Sequence, residues 1–177
     1  PRCDSMADQV TVVLEKPVAG GHMLARIDGR VVLVRGGIPG ERVRIEMERA
    51  GKGVAFARVV EVEEASPDRV VPEGDSQCGG LVLAHVAYSR QLQLKQAIVE
   101  DALGRIGRLR DLPALHAVPS PTREWRLRAR LHVSGRRVGF YREGTHALCD
   151  AGPTGHLVPG VLALAQRVMA ALHDTLV

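Results

Sequence analysis

Ile38-Pro39-Gly40-Glu41-Arg42-Val43-Arg44-Ile45-Glu46-Met47 runs from a tight turn into an alternating strand. Proline fixes one backbone angle and the glycine after it tolerates a positive φ, so the chain reverses at Pro39-Gly40. From there Val43, Ile45 and Met47 alternate with Arg42, Arg44, Glu46 and Glu48, which sends one face into a core and the other into water. The pattern extends to both sides. Upstream, Val10, Val12 and Leu14 alternate before Pro17, Gly20-Gly21 makes a turn, and Asp28-Gly29 is a hairpin signal ahead of the strand Val31 to Val34. Downstream, Gly51 and Gly53 precede a longer run, Val54 to Val62. Five short strands in about 55 residues, joined by glycine-rich turns, predict a small closed barrel of the oligonucleotide-binding type over residues 9–63.

The 177 residues suffice for one ordinary domain or two small ones. Hydrophobic content is 45% but aromatic content only 3%. The core must therefore be built from Val, Leu, Ala and Ile, and few rings are left to stack on a base: Trp125, Phe56, Phe140, Tyr88 and Tyr141. Lys and Arg number 24 against 20 Asp and Glu, for a net charge of +4, which suits a polyanionic partner without requiring one. The distribution is more telling. Arg123, Arg126, Arg128, Arg130, Arg136, Arg137 and Arg142 are offset only by Glu124, whereas Glu61 to Asp75 is acidic. Such a run also describes an ordinary solvated strand face. No apolar run approaches the roughly 18 residues of a membrane span, and no signal peptide is legible, so a cytoplasmic location with no membrane partner is expected. Cys3, Cys78 and Cys149 are too few and too scattered for a disulfide framework, in keeping with a reducing compartment. The start at Pro1, ahead of Met6, and the end at Val177 inside a helical pattern are expected of part of a longer protein. Oligomeric state is not encoded legibly, and a monomer is favoured.

Beyond the barrel, Ser66-Pro67 and Pro72-Glu73-Gly74-Asp75 mark a linker over residues 64–76. Residues 77–177 then read as an incomplete α+β domain, so the chain as a whole is mainly β with α. Ser89 to Ile106 has the apolar spacing of a helix through Leu92, Val99, Ala102, Leu103 and Ile106, with Ser89 as a candidate cap. Trp125 to Val133 and Arg137 to Tyr141 read as strands joined at Ser134-Gly135. Alternation then places Arg126, Arg128 and Arg130 on one face and Leu127, Ala129, Leu131 and Val133 on the other, a basic front for phosphates and an apolar back. Val161, Leu164, Ala165, Val168, Leu172 and Leu176 space out a core helix over Val161 to Leu176.

Several of these stretches resemble known sequences. Gly20-Gly21 leading to Ala25-Arg26, Asp28-Gly29-Arg30-Val31-Val32, Ile38 to Val43 and Ala57 to Val62 are similar to a TRAM domain, the small RNA-binding barrel attached to several RNA-modifying enzymes. Met23 stands where that family usually has a further glycine, which puts the shape of the first turn in question. Gln77-Cys78-Gly79-Gly80, His85, Tyr88, Gln91-Leu92, Lys95, Leu103 and Arg105-Ile106-Gly107 follow. With Trp125 to Arg130, Gly139-Phe140 and Thr145-His146 they resemble, in order, the RNA uracil-5-methyltransferases. The resemblance implies RNA contact at Arg126, Arg128, Arg130, Phe140 and His146, and at Arg26 and Arg30 of the barrel. His146 reads equally as a hydrogen-bonded loop histidine.

Many members of that family hold a 4Fe–4S cluster through Cys-x5-Cys-Gly-Gly-Cys and a distant fourth cysteine. Laid on this chain, those positions fall on Pro72, Cys78, Leu81 and near Thr154, leaving one thiolate where a cluster needs four. No cluster is expected; Cys78 is read as a buried structural thiol with Leu81 filling the space. Zinc held by Cys78, His85, His146 and Cys149 lacks paired spacing, so no metal site is assigned. The resemblance implies S-adenosylmethionine chemistry on a flipped-out uracil, with nucleophile, base and cofactor site in a C-terminal domain that this chain lacks. No catalytic or cofactor-binding residue is therefore assigned here. The expected function is RNA recognition, of ribosomal or transfer RNA, as the N-terminal portion of such an enzyme. The alternatives are a standalone RNA-binding or ribosome-associated module, and a redox or iron sensor, which would need the missing ligands.

Overall fold

The computed structural model describes residues 9–51, 53–135 and 137–175, and the side chains of these up to residue 172. The chain divides into two compact units, each assembled from two segments: residues up to 70 with His85–Ala117, and Val71–Ala84 with residues from 118 onward.

The first unit is a curled six-stranded sheet. Its strands are β1 (Gln9–Val13), β2 (Lys16–Val18), β3 (His22–Ile27), β4 (Arg30–Arg35), β5 (Arg42–Ala50) and β6 (Val54–Glu64), in the order β1-β5-β6-β4-β3-β2. All neighbours are antiparallel except β4 and β6. The Glu15 amide, between β1 and β2, donates to the Leu24 carbonyl of β3 at 2.8 Å and so extends the β2–β3 ladder. The sequence predicts five strands here. The sixth is β2, because Pro17 sits at an edge where its missing N–H costs no ladder bond.

The predicted alternation in β5 is observed, with Val43 and Ile45 fully buried. Its outer charges pair across to β6, Arg42 with Glu63, Arg44 with Glu61 and Glu46 with Arg58. Met23 does not disturb the first turn. It is fully buried on β3 opposite Val34, and Gly20 and Gly21 take the positive φ values that the reversal needs.

Helix α1 (Tyr88–Asp101) completes this unit and continues into a π-helical turn, Ala102–Ile106. The candidate cap Ser89 is corrected: Ala87 occupies the cap position with no side-chain bond. The start is fastened instead by the Gln91 side-chain amide on the Val86 carbonyl at 2.9 Å and the Ala87 amide on the Asp68 carbonyl at 2.8 Å. The predicted stripe is corrected too. Leu94 is the buried contact, while Val99 and Ile106 face solvent.

The second unit is built on a three-stranded antiparallel sheet of β7 (His132–Ser134), β8 (Arg137–Tyr141) and β9 (Leu148–Asp150). Cys78, Leu81, Phe140, Cys149, Ala151 and Leu157 form its core, with Ala129, Leu131, Val161 and Leu162 packed at the margin. The predicted strand Trp125 to Val133 is corrected: Arg126 makes an isolated bridge with Leu157, and regular pairing begins only at His132.

Helix α2 (Pro159–Thr175) packs against β8. Of its predicted stripe, Val161 and Ala165 turn inward together with Leu162 and Met169, whereas Leu164, Val168 and Leu172 are corrected: they are exposed. Leu176 lies outside the described residues. Among the described residues no helix is long and apolar enough to cross a membrane.

Candidate nucleic-acid interface

Cys78-Gly79-Gly80 lies at the centre of the second unit. The Gly79 amide donates to the Tyr141 carbonyl of β8 at 2.9 Å, and a Cβ on Gly79 would sit 2.7 Å from that same oxygen. Gly80 has φ +94°, a region that L side chains rarely adopt, and passes over the His156 ring. The two glycines thus let the loop lie directly on β8. That arrangement also corrects the expectation for the cysteines: Cys78 and Cys149, 71 residues apart in sequence, have Cα atoms 5.7 Å apart and form a disulfide. Proximity comes from the loop folding back, which cysteine spacing does not reveal.

The residues at the four cluster positions do not fit a 4Fe–4S centre. The sulfurs of Cys78 and Cys149 are bonded to each other, Leu81 is buried hydrocarbon in the core, and the Thr154 hydroxyl donates to the Ala151 carbonyl at 2.6 Å. Pro72 is half-buried and offers no ligand atom. Cys78, His85, His146 and Cys149, to which no metal site is assigned, form no metal-binding group among the described residues. His85 belongs to the first unit, where it is buried and donates from Nε2 to the Gly37 carbonyl at 3.0 Å.

The arginines of the basic run have different fates. Arg123 pairs with Glu73, and Arg142 Nε is 2.7 Å from Asp75 Oδ2. Hydrogen bonds from Arg142 and from the Gln77 amide hold the Asp75 carboxyl below its ordinary range. Arg137 donates to the Leu148 carbonyl, and Arg136 lies outside the described residues. Arg126 is half-buried, its guanidinium 5.8 Å from the Trp125 ring centre and 5.6 Å from that of Phe140. Arg128 and Arg130 are exposed and make no ion pair among the described residues. The three arginines read as one face are thus one guanidinium set against aromatic rings and two open to solvent.

Phe140 is in the core at 7% exposure. His146 is exposed, with its ring edge-on to Tyr141 at 5.2 Å, and Tyr141 in turn stacks on His132 at 3.7 Å. In the first unit Arg26 is exposed and pairs with Glu15, while Arg30, exposed at the start of β4, makes no ion pair among the described residues. Phe56 carries the Arg49 guanidinium at 4.4 Å and the edge of His22 at 5.9 Å.

The sequence around His156 carries no motif that would single it out. It is 7% exposed, its ring lies 5.6 Å from Trp125 and 6.3 Å from Phe140, and its Nδ1 is buried without a hydrogen-bond partner. Burial, reinforced by the Arg126 charge, lowers its pKa from 6.5 and keeps the imidazole neutral at pH 7.

Residues 8–60 match the TRAM domain. An uncharacterized RNA methyltransferase of Halalkalibacterium halodurans is 34% identical over 81% of this chain and 33% of its own length. The 23S rRNA (uracil(1939)-C(5))-methyltransferase RlmD of Thiobacillus denitrificans is 35% identical over 82% of this chain and 36% of its own. The chain thus spans about a third of the length of the curated relatives it matches. In fold it is similar to the crystal structure of Pyrococcus abyssi tRNA (uracil-54, C5)-methyltransferase bound to S-adenosyl-L-homocysteine. The two superpose with a TM-score of 0.61 at 21% identity, over 94% of this chain and 37% of that one. The chain is a TRAM-domain protein related, over about four-fifths of its length, to the RNA methyltransferases of the uracil-C5 type.

Proposed function

We propose that this chain is the RNA-recognising part of an RNA uracil-C5-methyltransferase that acts on ribosomal or transfer RNA in the cytoplasm. The observation that carries the proposal is the TRAM domain at residues 8–60 in a chain 35% identical to a 23S rRNA methyltransferase. The work is divided. Residues of this chain grip and orient the RNA, while the catalytic thiolate, the base and the S-adenosylmethionine site belong to parts of the enzyme outside it. Arg128 and Arg130 are the phosphate contacts of the second unit, since both are exposed and unpaired among the described residues. Arg30 has the same standing in the barrel. The arginines of β5 and β6 are partly neutralised by the glutamates opposite them.

Salt dependence of RNA binding tests this assignment. The chain should bind a stem-loop RNA with a negative slope of log affinity against log salt. Changing Arg128 and Arg130 together to Ala should make that slope shallower by about 0.7–0.9 for each phosphate no longer neutralised. An unchanged slope and affinity in that variant would remove the two arginines from the interface.

A further inference from the structure

We infer that Trp125 is a stacking platform for an unpaired RNA base, an assignment that rests on the RNA-recognition reading above. Trp125 is the single tryptophan of the chain and has the largest apolar side chain in it, yet it is 50% exposed. Its position is fixed by the backbone on both sides: the Glu124 amide donates to the Gly155 carbonyl at 2.7 Å and the Arg126 amide to the His156 carbonyl at 2.9 Å. Glu124 itself takes φ 55°, a left-handed conformation uncommon for a non-glycine residue and found disproportionately at binding sites.

The indole is also supported from within the unit. The Arg126 guanidinium lies 5.8 Å from its ring centre and the His156 ring 5.6 Å away. Part of the ring is therefore braced by a cation and an imidazole while the rest stays in water. A braced, half-exposed indole within a basic segment is the arrangement single-strand binders use, in which any base offers a π-face and neighbouring cations take its phosphates. Arg128 and Arg130 supply those cations a few residues along. Charge selects the occupant: Arg123 is paired with Glu73, but Arg126, Arg128 and Arg130 make no ion pair among the described residues and have only Glu124 in the same segment, which favours a nucleic acid over an apolar peptide.

Because Trp125 is the sole tryptophan, its emission reports on this surface and no other. A short oligouridine should quench it on binding, whereas inorganic polyphosphate, which carries the charge without the bases, should bind and leave the emission nearly unchanged. Trp125→Ala should weaken oligouridine binding by about five- to hundredfold with the salt slope retained, and Trp125→Phe should recover part of the loss. Should the Ala variant misfold, the Phe variant and the wild-type emission still decide the matter. Saturating oligouridine binding without quenching would overturn the platform and leave RNA recognition intact, with a protein surface as the alternative cover for Trp125. Absence of any binding to oligouridine or to stem-loop RNA would overturn both.

Discussion

Glu41 carries a charge in a place where charges are costly, and its surroundings account for this. At 1% exposure its carboxylate receives the Arg69 guanidinium through Nε and Nη2, both at 2.6 Å, the Ile38 amide at 2.9 Å and the Ser66 amide at 3.1 Å. Burial by itself would raise its pKa. The bonds from Arg69, Ser66 and Ile38, with the Arg69 charge, outweigh that penalty and leave it below the ordinary 4.5. The acid of the Pro-Gly-Glu turn is thus an internal clamp that holds the segment after β6 against the turn before β5. Glu41→Ala would strand the guanidinium and the two amides and should cost about 3 kcal/mol in urea unfolding. The depressed pKa also fixes a pH dependence. The stabilisation is complete above the unfolded value of 4.5 and is lost as pH falls through the lower folded value. Wild type should therefore lose stability on acidification below about pH 4.5, and Glu41→Gln should flatten that part of the profile.

Among the elements, the loop Val71–Ala84 shows how a short segment is bound without regular structure. It is tied to the small sheet by the Gly79 amide on Tyr141, the Glu143 amide on the Gln77 carbonyl, the Arg142–Asp75 pair and the Cys78–Cys149 disulfide. The disulfide closes a long loop, which restricts the unfolded chain. Cys149→Ser should then lower the unfolding free energy by about 2–4 kcal/mol under oxidising conditions. With dithiothreitol added to both proteins the gap should nearly vanish, since the wild type then loses the same cross-link. Strands whose alternation has a period of two, such as β5, were legible because one face is buried and the pattern is written into each residue. The stretch from Trp125 to Leu131 was not. Its alternation is as regular, and Ala129 and Leu131 do turn toward the core, but Leu127 is exposed and, among the described residues, the stretch has only the isolated bridge from Arg126 to Leu157. Period alone reports facing and cannot report a missing hydrogen-bond partner. Likewise the apolar surplus of α2 makes its predicted stripe too broad: packing on β8 takes Val161 and Ala165 from it, adds Met169, and leaves Leu164, Val168 and Leu172 in water.

In the whole molecule, chain order and spatial order differ. The segment His85–Ala117 belongs with the barrel and Val71–Ala84 with the small sheet. That exchange depends on hydrogen bonds such as His85 to Gly37 and Val70 to His85, which no local pattern foretells. Each unit also has its own fastening: Glu41 with Arg69 in the first, Cys78 with Cys149 in the second. The two fastenings share no residue and no hydrogen-bond partner. Effects that have no common partner add, so the double variant Glu41→Ala, Cys149→Ser should lose the sum of the two single losses to within about 0.5 kcal/mol. Calorimetry should place the Glu41 effect in the transition of the barrel unit and the Cys149 effect, with its dithiothreitol sensitivity, in that of the small-sheet unit. A coupling energy well above that margin would mean that loosening one clamp is felt by the other unit.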